Sequence, residues 1–250
     1  MHPPFHYAGA APLQALPPPV AGVPVREVWA GNLDAEVSFL HNVATGARFV
    51  AFAVHYPGVV HGAAPPQADH NTLTPEQRYA AIKANVDALK PLQVGLASAR
   101  TTAAAYLEER GMDLDAHRVH GIPMARFADA LHCSGLLRRL DLSWISYTGA
   151  YHVVYLLKVI RGGLPLPGDM RVFLGTARRF LGGDIYDVAC MAGDCPSMPV
   201  GLERIADKLI NLARPVGSPL LAGAGGVLAL QAFAFLRVRM FHGDVLLHGL

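Results

Sequence analysis

The chain has 250 residues, of which 52% are hydrophobic in type and 16% charged. That is enough for one large domain or two small ones, with a core that needs no disulfide or metal to hold it. Lys and Arg number 21 against 19 Asp and Glu, a formal net charge of +2, which argues against a broadly basic nucleic-acid surface and against an acidic disordered tail.

Residues 1–23 are rich in Pro and Ala and apolar without period, so they are expected to be a disordered arm, with a domain over 24–250. The arm has no early cationic cluster ahead of an apolar run, so no secretory signal is expected. After Pro24, Asn32 is expected to cap a helix with Leu33, Val37, Leu40 and His41 on one side and Asp34 and Glu36 in its first turn; Gly46 ends it. The β-branched and aromatic run from Ala47 to Val60, stopped by Pro57-Gly58, reads as a buried strand entering a turn. Residues 61–75 form a polar, Pro-rich loop. Thr74 and Pro75 then open a helix with Tyr79, Ile82, Val86 and Leu89 at helical spacing. A strand over 91–97, helices over 101–111 and 123–135, and a strand over 142–147 follow. Helices over 151–161, 169–180, 186–193, 201–211 and 222–241 complete the chain. At least three strands and eight helices alternate, which predicts an α/β domain with helices packed around one sheet. Leu220–Leu236 resembles a membrane span in composition. At 17 residues, with Gln231 inside, it reads instead as a buried core helix, and no membrane partner is expected.

Generic chemical motifs are missing. There is no G-x-x-x-x-G-K-[ST], G-x-S-x-G or H-E-x-x-H, and Gly223–Leu228 fails the dinucleotide fingerprint because its sixth position is Leu228. The 12 histidines are scattered; His2, His6, His61, His70, His117 and His120 fall in expected arms, loops and helix ends. Cys133, Cys190 and Cys195 form no C-x-x-C and read as reduced, buried thiols of a cytosolic or nuclear protein. Arg138-Arg139 and Arg178-Arg179 read as solvated helix faces or ends.

Several segments taken together resemble one family. Val25-Arg-Glu-Val-Trp29, Pro57-Gly-Val-Val60 and the run K-A-N-V-D-A-L-K-P-L-Q-V-G-L from Lys83 to Leu96 occur in the order and spacing of the Pop-type poly(A) deadenylases. So do Ser143-Trp-Ile-Ser-Tyr147 and its continuation to Ile160, the stretch Ile185–Leu209, and Leu221–Phe233. These enzymes are the CCR-associated-factor nucleases of the CCR–NOT complex. The resemblance spans residues 24–250. It implies a ribonuclease-H-like, DEDD-exonuclease fold: a mixed sheet flanked by helices. It also implies shortening of messenger RNA poly(A) tails from the 3′ end with two divalent metals, Mg or Mn. The implied partners are the CCR–NOT scaffold subunit and a leucine-rich-repeat deadenylase, and the implied location is nucleus and cytoplasm.

Two-metal phosphoryl chemistry needs several carboxylate oxygens around the ions and a general base near the attacking water. In the family, four acids and a histidine supply them. Laid over this chain, the first-strand pair D-x-E falls on Ala53 and His55, the third acid on His152, the last acid on Gly225 and the base on Leu220. All five positions are changed, while their flanks are kept. No metal is therefore expected; His55 and His152 are the weak candidates for a softer ion. Between Ser98 and the helix expected around Tyr106 only Ala99-Arg100-Thr101-Thr102 bridges the gap, so a family strand is expected to be shortened or missing. The resulting expectation is a catalytically inactive, deadenylase-like scaffold or competitor subunit that binds poly(A) weakly or not at all. A remodelled metal-dependent exonuclease, and a diverged gene copy without independent function, remain open alternatives.

Overall fold

A computed structural model describes residues 23–61, 73–98, 114–209, 215–216 and 221–241. In chain order the elements are β1 (Val23–Pro24), α1 (Leu33–Ala44), β2 (Phe49–His55), α2 (Pro75–Ala88), β3 (Gln93–Ser98), α3 (Leu114–His120) and α4 (Met124–Cys133). They continue with β4 (Ser143–Ser146), α5 (Gly149–Ile160), α6 (Met170–Leu181), β5 (Ile185–Asp187), α7 (Val188–Gly193), α8 (Leu202–Lys208), β6 (Pro215–Val216) and α9 (Ala222–Arg239). The main sheet is mixed, in the order β3-β2-β4-β5; β2 runs antiparallel to β3 and parallel to β4, which is parallel to β5. β1 and β6 form a separate two-stranded parallel pair.

β2 is buried along its whole interior, as expected of a central strand covered on both faces. Its side chains alternate between two cores. Val50, Phe52 and Val54 join the larger core with residues of α2, α4, α5 and α6, and there Trp144 meets Phe52 edge to face at 5.8 Å and 78°. The Trp144 indole N–H donates to the Leu181 carbonyl at 3.0 Å, which satisfies its one donor. Ala51 joins the second core beneath α9, with Ala97, Ile145, Val227 and Phe233. Small residues allow this close seating. A Cβ at Gly95 would lie 2.2 Å from the carbonyl carbon of Ala222, so a side chain there would push α9 off the sheet.

Side-chain caps set the starts of three helices, Thr74 for α2, Asp169 for α6 and Asp187 for α7. Thr74 caps α2 in a capping box, its hydroxyl accepting from the Gln77 N–H while the Gln77 side chain returns to the Thr74 N–H. At the other end the buried Lys158 ammonium donates to the carbonyls of Val86, Asp87 and Leu89, tying α5 to the α2 C-terminus where a cation suits the helix dipole. Buried Asn85 holds the turn after β2, accepting from the N–H groups of Val60 and His61 and donating to the His61 carbonyl, each at 2.7 Å.

Several expectations need correcting. Val23 belongs to strand β1 rather than to the arm; residues 1–22 lie outside the described residues. Helix α1 starts where expected, but Asn32 makes no cap bond. Its side chain accepts from the Trp29 N–H and donates to the Glu27 carbonyl, shaping the preceding turn. Residues 186 and 187, the expected start of the helix over 186–193, instead pair with β4 as part of the strand Ile185–Asp187 before α7 begins. Helix α3 was not expected. The helix over 101–111 and the bridge at 99–102 lie outside the described residues, as does most of the 61–75 loop. Cys133 and Cys190 are exposed, since they sit on the outward sides of α4 and α7; only Cys195 is buried. The reading of 220–236 as a core helix agrees with the buried residues of α9, and no helix among the described residues is long and apolar enough to cross a membrane.

Candidate active-site cleft

A cleft of about 200 Å³ opens at the carboxyl ends of the parallel strands β2 and β4, the edge at which open α/β sheets commonly bind ligands. Ala53 and His55, two apart on β2, line it from the sheet; Tyr147 and Thr148 line it from the β4–α5 turn, and His152 from the first turns of α5. Leu202, Gly225 and Ala229 close it from α8 and α9. Four of the five positions expected from the sequence thus converge. A Cβ built on Gly225 would lie 3.5 Å from the Ala53 Cβ, ordinary van der Waals contact. The fifth, Leu220, lies outside the described residues.

The turn that carries His152 is held by a carboxylate that the sequence reading missed. Asp187, at the end of β5, is buried; it accepts from the N–H groups of Thr148 at 2.9 Å, Gly149 at 2.7 Å and Ala189 at 2.8 Å. It thereby satisfies orphan donors at the starts of both α5 and α7. Thr148 takes the left-handed conformation (φ 53°, ψ 55°), and Gly149 must follow because a Cβ there would lie 2.4 Å from the Ser146 hydroxyl. Asp immediately before the helical stretch 188–193 is an N-cap signal that could have flagged the residue. Nothing in the sequence pointed to Tyr147, whose hydroxyl accepts from the Gly201 N–H at 2.7 Å and ties α8 to the rim.

The two imidazoles are held neutral at physiological pH. Burial, reinforced by the nearby His55, pulls the His152 pKa down to about 4, against a smaller opposing pull from Asp187. Its Nδ1 is buried without a hydrogen-bond partner. Burial also lowers His55, opposed by a hydrogen bond with the Gln93 side chain. Beside them Tyr56 stacks on Tyr151 (5.3 Å, 18°) and Tyr155 (4.8 Å, 22°) and meets His152 edge-on at 6.4 Å. Burial pushes Tyr155 up to about 12, with its hydroxyl unpartnered. The cleft lining therefore carries no charge at neutral pH, with Phe52 and Tyr147 in its wall and the tyrosine cluster beside it.

Such a donor set does not fit a pair of Mg²⁺ or Mn²⁺ ions. Hard cations need several oxygen ligands, and the lining contributes no carboxylate. The side-chain oxygens of the lining are two neutral hydroxyls, of Tyr147 and Thr148, both already in hydrogen bonds and too few for a pair of hard cations. Asp187 stands outside the lining with its oxygens committed to three backbone amides. Among the described residues no group of three or more His, Cys, Asp or Glu side chains is placed to hold a metal. His55 and His152 share the cleft but make only two ligands, short of the three that a catalytic zinc usually has.

Comparison with known proteins gives this arrangement a context. The family described as CAF1 family ribonuclease matches residues 28–157, more than half of the chain. The chain is 27% identical over 248 residues to poly(A) ribonuclease pop2 of Schizosaccharomyces pombe, covering 89% of this chain and 72% of that protein. It is 29% identical over 236 residues to probable CCR4-associated factor 1 homolog 5 of Arabidopsis thaliana, covering 84% and 81% of the two chains. Among solved structures it is similar to S. pombe Pop2p in its Mg²⁺- and Mn²⁺-bound form, with a TM-score of 0.75 and 26% identity over 90% of this chain and 99% of that one. The fold is shared also by the yeast CAF1 that was co-crystallised with the MIF4G domain of NOT1, at a TM-score of 0.71 and 22% identity over 92% and 94% of the chains.

Proposed function

This chain belongs to the CAF1 family of ribonucleases, with their ribonuclease-H-like mixed sheet flanked by helices, and we propose that it works in that setting without two-metal catalysis. In this reading it is a non-catalytic subunit that scaffolds or competes with active deadenylases. It uses the outer surface of the fold, in nucleus and cytoplasm. The carrying observation is the cleft lining. Where the reaction needs anionic oxygens around two ions, the side chains present are Ala53, His55, His152 and the bare backbone of Gly225. Even disturbing residues behind a metal's own ligands typically costs about 10–100-fold in metal affinity or activity; here the ligands themselves are replaced. The replacement has its own logic. Four like charges in one recess repel when no cation sits among them, whereas alanine, glycine and neutral imidazoles do not.

The yeast relative crystallised with the NOT1 MIF4G domain supports a scaffold subunit of that kind as one partner, and the family resemblance supports a leucine-rich-repeat deadenylase as another. Poly(A) is expected to bind weakly, because phosphate affinity at such a cleft leans on the cations. The test incubates purified full-length protein with a labelled, A-tailed RNA across a titration of Mg²⁺ and Mn²⁺. The tail should keep its length at every metal concentration, and calorimetry should detect no tight binding of either ion. Metal-dependent shortening of the tail by the unaltered chain would overturn the proposal. The double variant Ala53→Asp/His55→Glu, run beside it, reports how far the first acid pair alone restores ion binding.

A further inference from the structure

The two arginine pairs that look in the sequence like ordinary solvated ends meet in space. The Arg138 backbone N–H donates to the Phe180 carbonyl at 2.7 Å, and the Arg138 guanidinium lies over the Phe180 ring, 5.7 Å from its centroid. This sets Arg138 beside the last turn of α6, where Arg178 and Arg179 stand exposed. One face of α6 is buried through Phe173, Ala177 and Leu181; the other presents Arg171, Val172, Gly175, Arg178 and Arg179. Arg171 and Arg178, seven residues apart, share an azimuth about 10 Å apart along the helix. No acid lies on α6, and Asp169, at its start, caps it through the Val172 N–H.

Helix stability accounts for only part of this. Cations in the last turn suit the macrodipole, but Arg171 stands in the first turn, where a cation is disfavoured. The five ion pairs among the described residues use Arg26, Lys83, Arg118, Arg126 and Arg139; none uses Arg138, Arg171, Arg178 or Arg179. Arg139, next to Arg138, is committed to Asp141 and to the carbonyls of Ala44 and Ala47. What remains is an outer face with three unpaired guanidiniums, a fourth from Arg138 at the C-terminal flank of α6 over Phe180, and exposed apolar side chains in the same two segments, Val172 at 58% and Leu140 at 87% exposure.

We propose that the outer face of α6, extended by Arg138, is a docking surface for an acidic polypeptide segment of a protein partner. Guanidinium forks match carboxylates in charge and bidentate shape, and the exposed Val172 and Leu140 give apolar side chains of such a segment somewhere to lie. Single-stranded nucleic acid fits less well, because it needs open aromatic platforms for its bases. Phe180, half-buried at the flank of this face, is covered by Arg138 and met edge-on by His132 at 5.7 Å. The proposal stands whether or not the cleft cuts RNA.

The experiment measures fluorescence anisotropy of a labelled peptide, Glu-rich with Leu at both ends, titrated with the full-length chain at low and physiological salt. An oligoadenylate of equal length and label is titrated in parallel. The variant R171E/R178E/R179E is compared with a charge-matched control on other helices, R118E/R204E/R239E. All six positions are exposed, and circular dichroism checks that both variants fold. The peptide should bind the unaltered chain, lose about tenfold or more in the α6 variant, and keep its affinity in the control. Absence of peptide binding, equal losses in the two variants, or oligoadenylate as the ligand that the α6 variant loses would each overturn the proposal.

Discussion

His152 makes the stability of this protein sensitive to acid, and the size of the effect can be worked out. Its imidazole is lowered from 6.5 to about 4 in the fold, chiefly by burial. In the unfolded chain it titrates at its ordinary value. Between these two pH values the unfolded state therefore binds a proton that the folded state refuses, so stability falls as the pH is lowered through that window, and the loss is complete below about 4. At about 1.4 kcal/mol for each tenfold change in an equilibrium constant, the full displacement amounts to about 3 kcal/mol. His152→Phe keeps an aromatic ring, removes the titration and also removes the unpartnered Nδ1, whose burial itself costs about 1–3 kcal/mol. The variant should thus equal or exceed the parent at pH 7, and its advantage should widen by about 3 kcal/mol on reaching pH 4. Urea unfolding of both proteins across this range gives the difference directly, provided their m-values agree. Groups common to both, including Glu36 and Asp141, whose carboxyls are lowered by their hydrogen-bonded arginines, cancel in the subtraction. His55 also remains in both, lowered mainly by its own burial. Parallel pH curves for the two proteins would refute the reasoning, since they would mean that His152 protonates in the fold as easily as in water.

Other outcomes can be checked on the same preparations. Lys158→Met leaves the carbonyls of Val86, Asp87 and Leu89 without their donor. It should lower stability by about 2–4 kcal/mol, and a calorimetric Tm equal to the parent's would show that the ammonium contributes nothing net. Asp187→Ala removes the acceptor of three backbone amides and should cost about 2–4 kcal/mol, with Asp187→Asn losing less; an Asp187→Ala protein as stable as the parent in chemical denaturation would discount the carboxylate's role. Two glycines should behave in opposite ways. Gly225→Ala meets only Ala53 at 3.5 Å and should stabilise α9 by about 0.5–1 kcal/mol, whereas Gly95→Ala drives a Cβ into the Ala222 backbone and should lower the urea midpoint sharply. Similar midpoints for the two would contradict the close seating of α9.

The long elements and the cleft positions were legible because their flanks carry strong local chemistry. Thr74-Pro75 announces α2, the run from Val50 to Val54 announces a covered strand, and Pro57-Gly58 fixes where it stops. Pro57-Gly58, with the segments around Lys83–Leu96, Ser143–Ile160 and Leu221–Phe233, carried the resemblance, and with it Ala53, His55, His152 and Gly225, to one recess. What escaped was decided by tertiary contact. Three residues, Ile185–Asp187, are too short for period two to show; β4 makes them a strand. Asn32 has the identity of a helix cap, yet Glu27 and Trp29 draw its side chain away. The three cysteines look alike in sequence, and only tertiary placement separates exposed Cys133 on α4 and Cys190 on α7 from buried Cys195 in the turn after α7. The meeting of Arg138 with Arg178 and Arg179 follows from the Phe180 carbonyl accepting the Arg138 N–H, a bond that no local pattern encodes.

The seating of the last helix over the central strand has a consequence for how the molecule is made. The recess has one wall from β2, early in the chain, and the facing wall from α9, close to the carboxyl end. During vectorial synthesis at about 5–20 residues per second, β2 and β3 leave the ribosome on the order of ten to thirty seconds before their cover does. Throughout that interval the alanine and glycine side of the sheet is naked. A polypeptide that stops short of residue 222 would leave it so permanently, exposing an apolar surface of the kind that chaperones hold and proteases clear.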